Sequence, residues 1–488
     1  MQVRSSSTKT NTDYDAIVVG AGPNGLSAAI TLQREGLKTL LIEKENKPGG
    51  GLRSAELTLP GFVHDTCSAV HPLGVASPFF SSLPLDQYGL QFIQPPVAAA
   101  HPMDDGTAAI LKRSIQETAA VLAGDEHKYI ELLQPLYNDW QKLLLPLLSP
   151  FRMPSHPMAM AKFAMKGLPS AESMAKRFST PQAKALVAGM AAHSMQPLTN
   201  RGTAAFALVL LLAGHQHGWP IAKGGSQSIA NALVANFIDL GGKMETGLYV
   251  QSMKQLPSAK AILFDVTPQQ LLTIAGNRFS SLYQWQLNRY RYGMGVFKID
   301  WALDDIIPFT STDCLNAGTV HLGNSYKEIA YYEQQPAKGI HGEKPFVILS
   351  QPSVFDESRA PAGKHTAWAY CHVPHGSVKD MTEKIEAQVE RFAPGFKDRI
   401  IGRHTMNTKQ LETYNPNYIG GDINGGIQDI TQLFTRPALR WSPYRTSAKG
   451  IYICSSSTPP GGGVHGMCGY HAAARALKDI FHIDAPGF

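Results

Sequence analysis

The feature that most narrows what this chain can become lies near its start. Ala16 to Val19 (AIVV) is a short, unbroken, largely β-branched run of the kind that forms a strand buried on both faces. It leads straight into Gly20-Ala21-Gly22-Pro23-Asn24-Gly25, then a helix-like stretch from Leu26 to Glu35 closed by Gly36. A second strand-like run, Lys38 to Ile42, ends at Glu43. Gly20 permits a tight turn, Gly22 lets main chain approach a pyrophosphate, and Gly25 lets helix and strand pack closely. The helix N-terminus, with Pro23 and Asn24 in its first turn, adds unpaired N–H groups and the positive end of a dipole. Glu43, 18 residues beyond Gly25, stands where a carboxylate accepts hydrogen bonds from ribose hydroxyls. A lone GxGxxG is weak evidence. Set between a strand and a helix, with the acid in place, it predicts a Rossmann-type dinucleotide site in an α/β fold.

The residues after Glu43 favour FAD over NAD. Lys44 is succeeded by Pro48-Gly49-Gly50-Gly51 and Arg53, then by Pro60-Gly61-Phe62 with His64 and Asp65. A nicotinamide dehydrogenase needs no second glycine patch directly after its second strand, whereas a long extended FAD needs close main-chain approach along its length. The far end of the chain supplies a third piece. A strand-like run, Gly450 to Cys454, passes through Ser455 to Pro460 into Gly461-Gly462-Gly463-Val464-His465-Gly466 and a helix from about Met467 to Ile480. Six residues separate the strand from the first glycine, so this is read as a loop and helix closing back on the first domain, with its N–H groups aimed at the flavin end.

With these motifs in place, the chain resembles the phytoene desaturase-like FAD-dependent oxidoreductases, the group of carotenoid desaturases, carotenoid isomerases and retinol saturase. The branch it looks most like is that of the pyridine nucleotide-disulfide oxidoreductase domain-containing protein 2. The resemblance spans nearly the whole chain. It rests also on Pro220 to Gly225 (PIAKGG), Ala317 to Leu322 (AGTVHL), Gln351 to Ala360 (QPSVFDESRA), His365 to Gly376 (HTAWAYCHVPHG), Phe392 to Phe396 (FAPGF) and Asn415 to Gly426 (NPNYIGGDINGG). It implies non-covalent FAD, with Gly20, Gly22 and Gly25 at the pyrophosphate, Glu43 and its neighbour Lys44 at the adenosine ribose, and Gly50, Gly51 and Arg53 along the dinucleotide. Val250, in a strand-like Thr246 to Met253, would face the adenine; Gly462, Gly463, Val464 and His465 would sit near the isoalloxazine. Two departures stand out: Ser455-Ser456-Ser457 replaces a usual Gly-x-Gly, and the segment from Val250 to Asp265 is short.

The motif order predicts a discontinuous, glutathione reductase-like FAD domain from 13–100, 215–285 and 425–488, with an inserted α+β substrate domain from 101–214 and 286–424. Residues 1–12 read as a disordered tail. At 488 residues two domains are expected, and 43% apolar against 17% charged residues fits a globular protein. The net charge of +6 is spread without a block of like charges, which argues against a nucleic-acid partner. Five scattered cysteines with no CxxC argue against a disulfide framework, a zinc site and a dithiol reductase, and point to a reducing, cytoplasmic setting. The longest apolar run, Ala204 to Ala213, is too short to span a bilayer. The Met-rich Met158 to Leu168 leaves three readings open: a hydrophobic tunnel lining, a helix resting peripherally on a membrane, or plain core.

The expected partner is an apolar small molecule, a carotenoid-like isoprenoid, another polyene or an acyl chain, desaturated, saturated or isomerised by hydride transfer at flavin N5. The electron acceptor (oxygen, a quinone or a nicotinamide) and the oligomeric state are left open. His465 beside the C-terminal glycines is the first candidate acid or base, with a helix cap as the equal alternative; His375 and Tyr370 are weaker. No metal is expected, since neither His215 and His217 nor His372 and His375 has a carboxylate or thiol at ligand spacing. One rival is a flavin amine oxidase with an aromatic cage, for which Trp301, Trp368, Tyr370 and Trp441 are the available aromatics. Another is a non-catalytic lipid- or prenyl-binding escort of the same fold.

Overall fold

A computed structural model describes residues 12–122 and 124–488. The expected tail therefore lies, apart from Thr12, outside the described residues. In chain order the strands of the two main sheets are β1 (Tyr14–Val19), β2 (Thr39–Ile42), β3 (Val97–Pro102), β4 (Ala108–Leu111), β5 (Lys243–Glu245), β6 (Ala259–Phe264), β7 (Gly295–Leu303), β8 (Ala317–Leu322), β9 (Val347–Ser350), β10 (His365–Val373), β11 (Ile400–Met406) and β12 (Ile451–Ile453). The helices used below are α1 (Pro23–Arg34), α2 (Pro157–Gly167), α3 (Pro181–Ala192), α4 (Thr203–His217) and α5 (Met467–Ala476).

The first sheet has the order β12-β6-β1-β2-β5 and is parallel throughout. Its strands are continuously apolar because both faces are covered. Ala16, Val18, Leu41 and Leu263 pack with α1 and α5, while Ile17, Val19, Ile42 and Ile453 pack with Leu271, Ile274, Tyr283 and Leu287. Glycines set the approach of α5 to α1: a Cβ on Gly469 would lie 1.8 Å from the Asn24 carbonyl oxygen, and one on Gly466 would lie 2.1 Å from Ser27 Oγ. The last strand and helix of the chain are thus packed on its first strand and helix.

The second sheet has seven strands in the order β11-β7-β10-β9-β8-β3-β4, with β3 and β8 parallel and the other pairs antiparallel. Alternation gives its two faces different chemistry. One face, with Phe297, Ile299, Trp301, Val347, Leu349, Ala369 and Cys371, packs under a helix carrying Ile385, Val389 and Phe392. The register places Lys298 opposite Tyr370, Asp300 opposite Trp368, and Tyr370, Ile348 and His321 side by side on the other face. That polar and aromatic face turns toward the first unit. Every strand of the first sheet falls in 13–100, 215–285 or 425–488. β3 crosses to the second sheet from Val97, a few residues ahead of residue 101, and α4 runs through the 214/215 junction.

A buried clamp joins the hairpin of Ser54–Glu56 and Val63–Asp65 to the turn that precedes β10. The Arg359 guanidinium is 1% exposed and donates from Nη2 to Asp65 Oδ2 at 2.8 Å and from Nε to the Val63 carbonyl. Asp65 also accepts from Ser54 Oγ and the Ser226 N–H, and Asp356 accepts from the Gly224 N–H. Burial pushes the Asp65 carboxyl up, but Arg359 together with the Ser226 N–H and the Ser54 hydroxyl outweighs it and holds the carboxyl below its ordinary range. The PIAKGG and QPSVFDESRA segments thereby acquire a structural role, each held to the other or to the Val63–Asp65 strand by these bonds.

Two expectations need amendment. Thr246 to Met253 is not a strand: β5 ends at Glu245, Gly247 takes a left-handed turn (φ 76°), and the Leu248 N–H leaves the ladder to donate to the Glu43 carbonyl. The Met-rich helix α2 buries Ala159, Phe163 and Gly167 and turns Met158 and Met165 outward, so it does not line the cavity described below. The histidines are engaged locally: His215 Nε2 with Tyr129 Oη, His217 Nε2 with Trp140 Nε1–H, and His372 Nδ1 with Glu333. Among the described residues no helix is long and apolar enough to cross a membrane.

Candidate active site

Between the sheets lies a cavity of about 410 Å³. Its first end is built by the turn after β1. Gly20 (φ 101°) makes the bend, and Gly22 caps α1 with Pro23 in the first turn. A Cβ on Gly25 would lie 1.9 Å from the Gly20 carbonyl oxygen, which is why this position supports helix packing rather than facing the cavity. Glu43 stands at the end of β2 and accepts the Ala21 N–H at 2.7 Å and the Glu45 N–H at 3.0 Å. Lys44, whose ammonium lies 5.2 Å from the Tyr249 ring centroid, and Val250 complete this end.

The second glycine patch docks directly on the first. The Gly49 N–H donates to the Ala21 carbonyl, and a Cβ on Gly50 would lie 3.1 Å from the Gly22 Cα. Arg53 is held beneath by donating to the Tyr414 carbonyl at 2.9 Å, with its guanidinium 3.9 Å from the Tyr414 ring centroid; Tyr414 Oη in turn donates to the Gly50 carbonyl. The NPNY segment and the tyrosine just before it are thus the floor on which the glycines rest.

The C-terminal loop closes the middle of the cavity. Ser456, Ser457, Gly463 and Val464 line it, and Asn24 Nδ2 donates to Ser456 Oγ at 3.2 Å across 432 residues of sequence. The serines therefore make hydroxyl contacts where glycines would leave bare main chain. Arg436, fully buried, fixes the loop by donating to the Ser456 and Ser457 carbonyls. Gly462 packs against Asn424 and Gln428 instead of lining the cavity.

Of the three proton-transfer candidates, the structure brings one to the cavity. Tyr370 lines it, stacked on Trp368 with ring centroids 5.7 Å apart. His465 accepts the Met467 N–H through Nδ1 at the start of α5, and burial pushes it down to about 4. His375 donates from Nδ1 to the Gly293 carbonyl and lies against Gly420, away from the lining. Trp301 is buried on the opposite face of its sheet and Trp441 is fully exposed, so they form no cage with Trp368 and Tyr370.

Four groups near the cavity carry no sequence motif. Asp265, the residue after β6, folds back so that Oδ2 accepts the Gly25 N–H at 2.9 Å. Burial, reinforced by the charge of Glu43, pushes its carboxyl up to about 7, against the lowering effect of that N–H. Lys298 and Asp300 form a fully buried ion pair behind the cavity, with His64 and His404 each 3.6 Å from the Asp300 carboxylate. Their alternation in the apolar strand VFKIDWAL is the signal that could have found them, since period two puts both on one face. His193, the fourth, lines the far end with Leu210, Trp219, Ile348, Trp368 and Tyr370.

The residues present fit FAD. Bare main chain at Gly22, Gly50 and Gly463 faces one continuous crevice, Glu43 presents a carboxylate at its first end, and the buried Asn24 Oδ1 has no protein partner among the described residues. Residues 18–82 match the NAD(P)-binding Rossmann-like domain family. Over 96% of this chain and 94% of that protein, the sequence is 24% identical to the rat (Rattus norvegicus) pyridine nucleotide-disulfide oxidoreductase domain-containing protein 2. It is also 24% identical to the neurosporene-forming phytoene desaturase of Rhodobacter capsulatus, covering 93% of this chain and 92% of that one. In fold the chain is similar to putrescine oxidase, at a TM-score of 0.60 and 16% identity over 96% of this chain and 99% of that one.

Proposed function

We propose that the chain, similar along its length to phytoene desaturases, is a flavin-dependent oxidoreductase that desaturates, saturates or isomerises an apolar substrate, an isoprenoid, a polyene or an acyl chain. The observation that carries this reading is the wall of the cavity's far end. Leu210, Trp219, Ile348, Trp368 and Tyr370 line it, and the carboxylates of the lining, Glu43, Glu45 and Asp265, all stand at the opposite, dinucleotide end. A protonated amine placed there would lose its hydration with no counter-ion. Trp368 and Tyr370 do not form a slot for one either: at 5.7 Å between centroids they are in contact, whereas a group sandwiched between two rings needs about 7 Å.

In this reading Gly20, Gly22 and the N-terminus of α1 hold the pyrophosphate of FAD, Glu43 and Lys44 the adenosine, and Gly50, Gly51, Arg53, Gly463 and Val464 the flavin half. Bound FAD supplies a hydride acceptor or donor. The chain's own contribution is orientation and exclusion of water: the stacked Trp368 and Tyr370 and the neighbouring Ile348 give an extended apolar molecule a flat face to lie against. Burial keeps the Tyr370 hydroxyl protonated, so it offers an uncharged proton donor at that face.

Anaerobic incubation of the holoprotein with carotenoids, retinoids, fatty acyl compounds and simple amines tests this. The expected result is loss of the oxidised flavin's visible absorbance with a polyene or acyl compound. Bleaching by amines alone would overturn it.

A further inference from the structure

Three imidazoles form a hydrogen-bonded row that ends in the cavity. His193, just past the C-terminus of α3, places Nε2 2.9 Å from His321 Nε2, and His321 Nδ1 lies 2.9 Å from His101 Nε2. His321 and His101 are fully buried on neighbouring strands β8 and β3; His193 is half-buried and lines the far end of the cavity. The surroundings are tight and apolar. Trp219 lies edge-on to His193, Phe346 lies beside His321, and a Cβ on Gly189 would collide with the His101 ring at 1.8 Å.

Burial without a carboxylate partner keeps all three rings uncharged, pushing His101 and His193 down to about 3 and His321 well below its ordinary range. A neutral imidazole has one N–H, so the row has two consistent proton arrangements. In one, every ring donates toward His101 and His193 shows the cavity a bare Nδ1. In the other, every ring donates toward His193, which shows the cavity an Nδ1–H. Both leave His101 Nδ1, which is buried without a partner, unsatisfied. The same side chain can therefore accept from a hydroxyl or donate to a carbonyl, but it cannot neutralise a charge.

We propose that the substrate is an otherwise apolar molecule bearing one uncharged oxygen, a hydroxyl or a carbonyl, which His193 holds through this histidine row. The proposal rests on the apolar-substrate reading above and narrows it. His193 Nδ1 and the Tyr370 hydroxyl have no protein hydrogen-bond partner among the described residues and line the same cavity; His193 bonds His321, and the register sets Ile348 between His321 and Tyr370.

The test is equilibrium binding to the holoprotein, read by quenching of tryptophan fluorescence. The matched isoprenoid probes are farnesol, farnesal, farnesene, farnesylamine and farnesoic acid. A net neutral hydrogen bond is worth roughly threefold to tenfold in affinity. Farnesol and farnesal should exceed farnesene by that factor and should also exceed the two charged probes. His193→Phe should erase the preference while leaving farnesene binding in place. His193→Gln, which can still donate and accept, should keep it, so a loss caused by misfolding is distinguished from a loss of the contact. If farnesene binds as well as farnesol, or the preference survives His193→Phe, the proposal is overturned and the apolar-substrate reading stands. Tightest binding of farnesoic acid overturns the proposal alone. Tightest binding of farnesylamine, or no binding of any uncharged probe, overturns both.

Discussion

Replacing Asp265 by Asn probes the least expected feature of the dinucleotide end. Asp265 is buried at the N-terminus of α1 beside the cavity, accepts the Gly25 N–H at 2.9 Å, and shares its surroundings with Glu43. Its carboxyl is raised from 3.8 to about 7. The folded protein therefore holds this proton more tightly than the unfolded chain, and stability falls as pH rises through that interval. The loss is absent below about pH 4, grows up to about pH 7, and is constant above it. At 1.36 kcal/mol per pH unit the interval corresponds to about 4 kcal/mol at most. Asn keeps an acceptor for the Gly25 N–H and a donor where the neutral acid has one, without the charge. Asp265→Asn should therefore match the wild type near pH 4 and become more stable by up to about 4 kcal/mol near pH 8. Unfolding midpoints of the two flavin-free proteins across that range measure it. A difference that does not change with pH, or a mutant less stable than the wild type near pH 8, would refute the reasoning. The pyrophosphate adds a consequence. In the proposed placement its charge would raise Asp265 further, so wild-type FAD affinity should weaken as pH rises above about 7 while that of Asp265→Asn does not.

The same geometry fixes other outcomes. Gly25→Ala puts a methyl group 1.9 Å from the Gly20 carbonyl oxygen and should yield protein without bound flavin, whereas Gly36→Ala, with open space around it at φ 73°, should cost only about 1–2 kcal/mol; flavin absorbance and unfolding midpoints compare them. Arg359→Met leaves Asp65 buried without its cation and should cost about 3–5 kcal/mol, which the double replacement Asp65→Asn/Arg359→Met, keeping an acceptor for Ser54 and Ser226 without the charge, should partly restore, as unfolding midpoints would show. Glu43→Gln removes the charge proposed to face the ribose and should weaken FAD binding by roughly 10- to 100-fold, measured by titrating FAD into flavin-free protein.

How much of this was legible beforehand depends on how local each signal is. The turn at Gly20 to Gly25, the acid at Glu43 and the patch at Gly49 to Gly51 declare themselves within about 35 residues, because each depends on main-chain geometry that only glycine or one carboxylate satisfies. The closure of the C-terminal loop was readable from Gly461 to Gly466, although the Asn24–Ser456 contact that seals it was not. Val250 reaches the cavity on irregular chain because the edge of the first sheet ends at Glu245, which β-propensity alone does not reveal. The histidine row was invisible. His101, His193 and His321 are separated by 92 and 128 residues and meet only through strand register and the end of α3. His465 is ambiguous in sequence because a glycine-flanked helix start suits both a cap and a catalytic group; its hydrogen bond to the Met467 N–H is that of a cap.

The claim beneath all of this is that both ends of the chain converge on one elongated crevice that holds FAD. Releasing the small molecules from purified protein by denaturation, and identifying and counting them by mass spectrometry against protein concentration, tests it most directly. One FAD per chain, freed without proteolysis, is the expected result. A chain that carries no flavin and cannot be loaded with FAD, or one that retains only a nicotinamide dinucleotide, would contradict it.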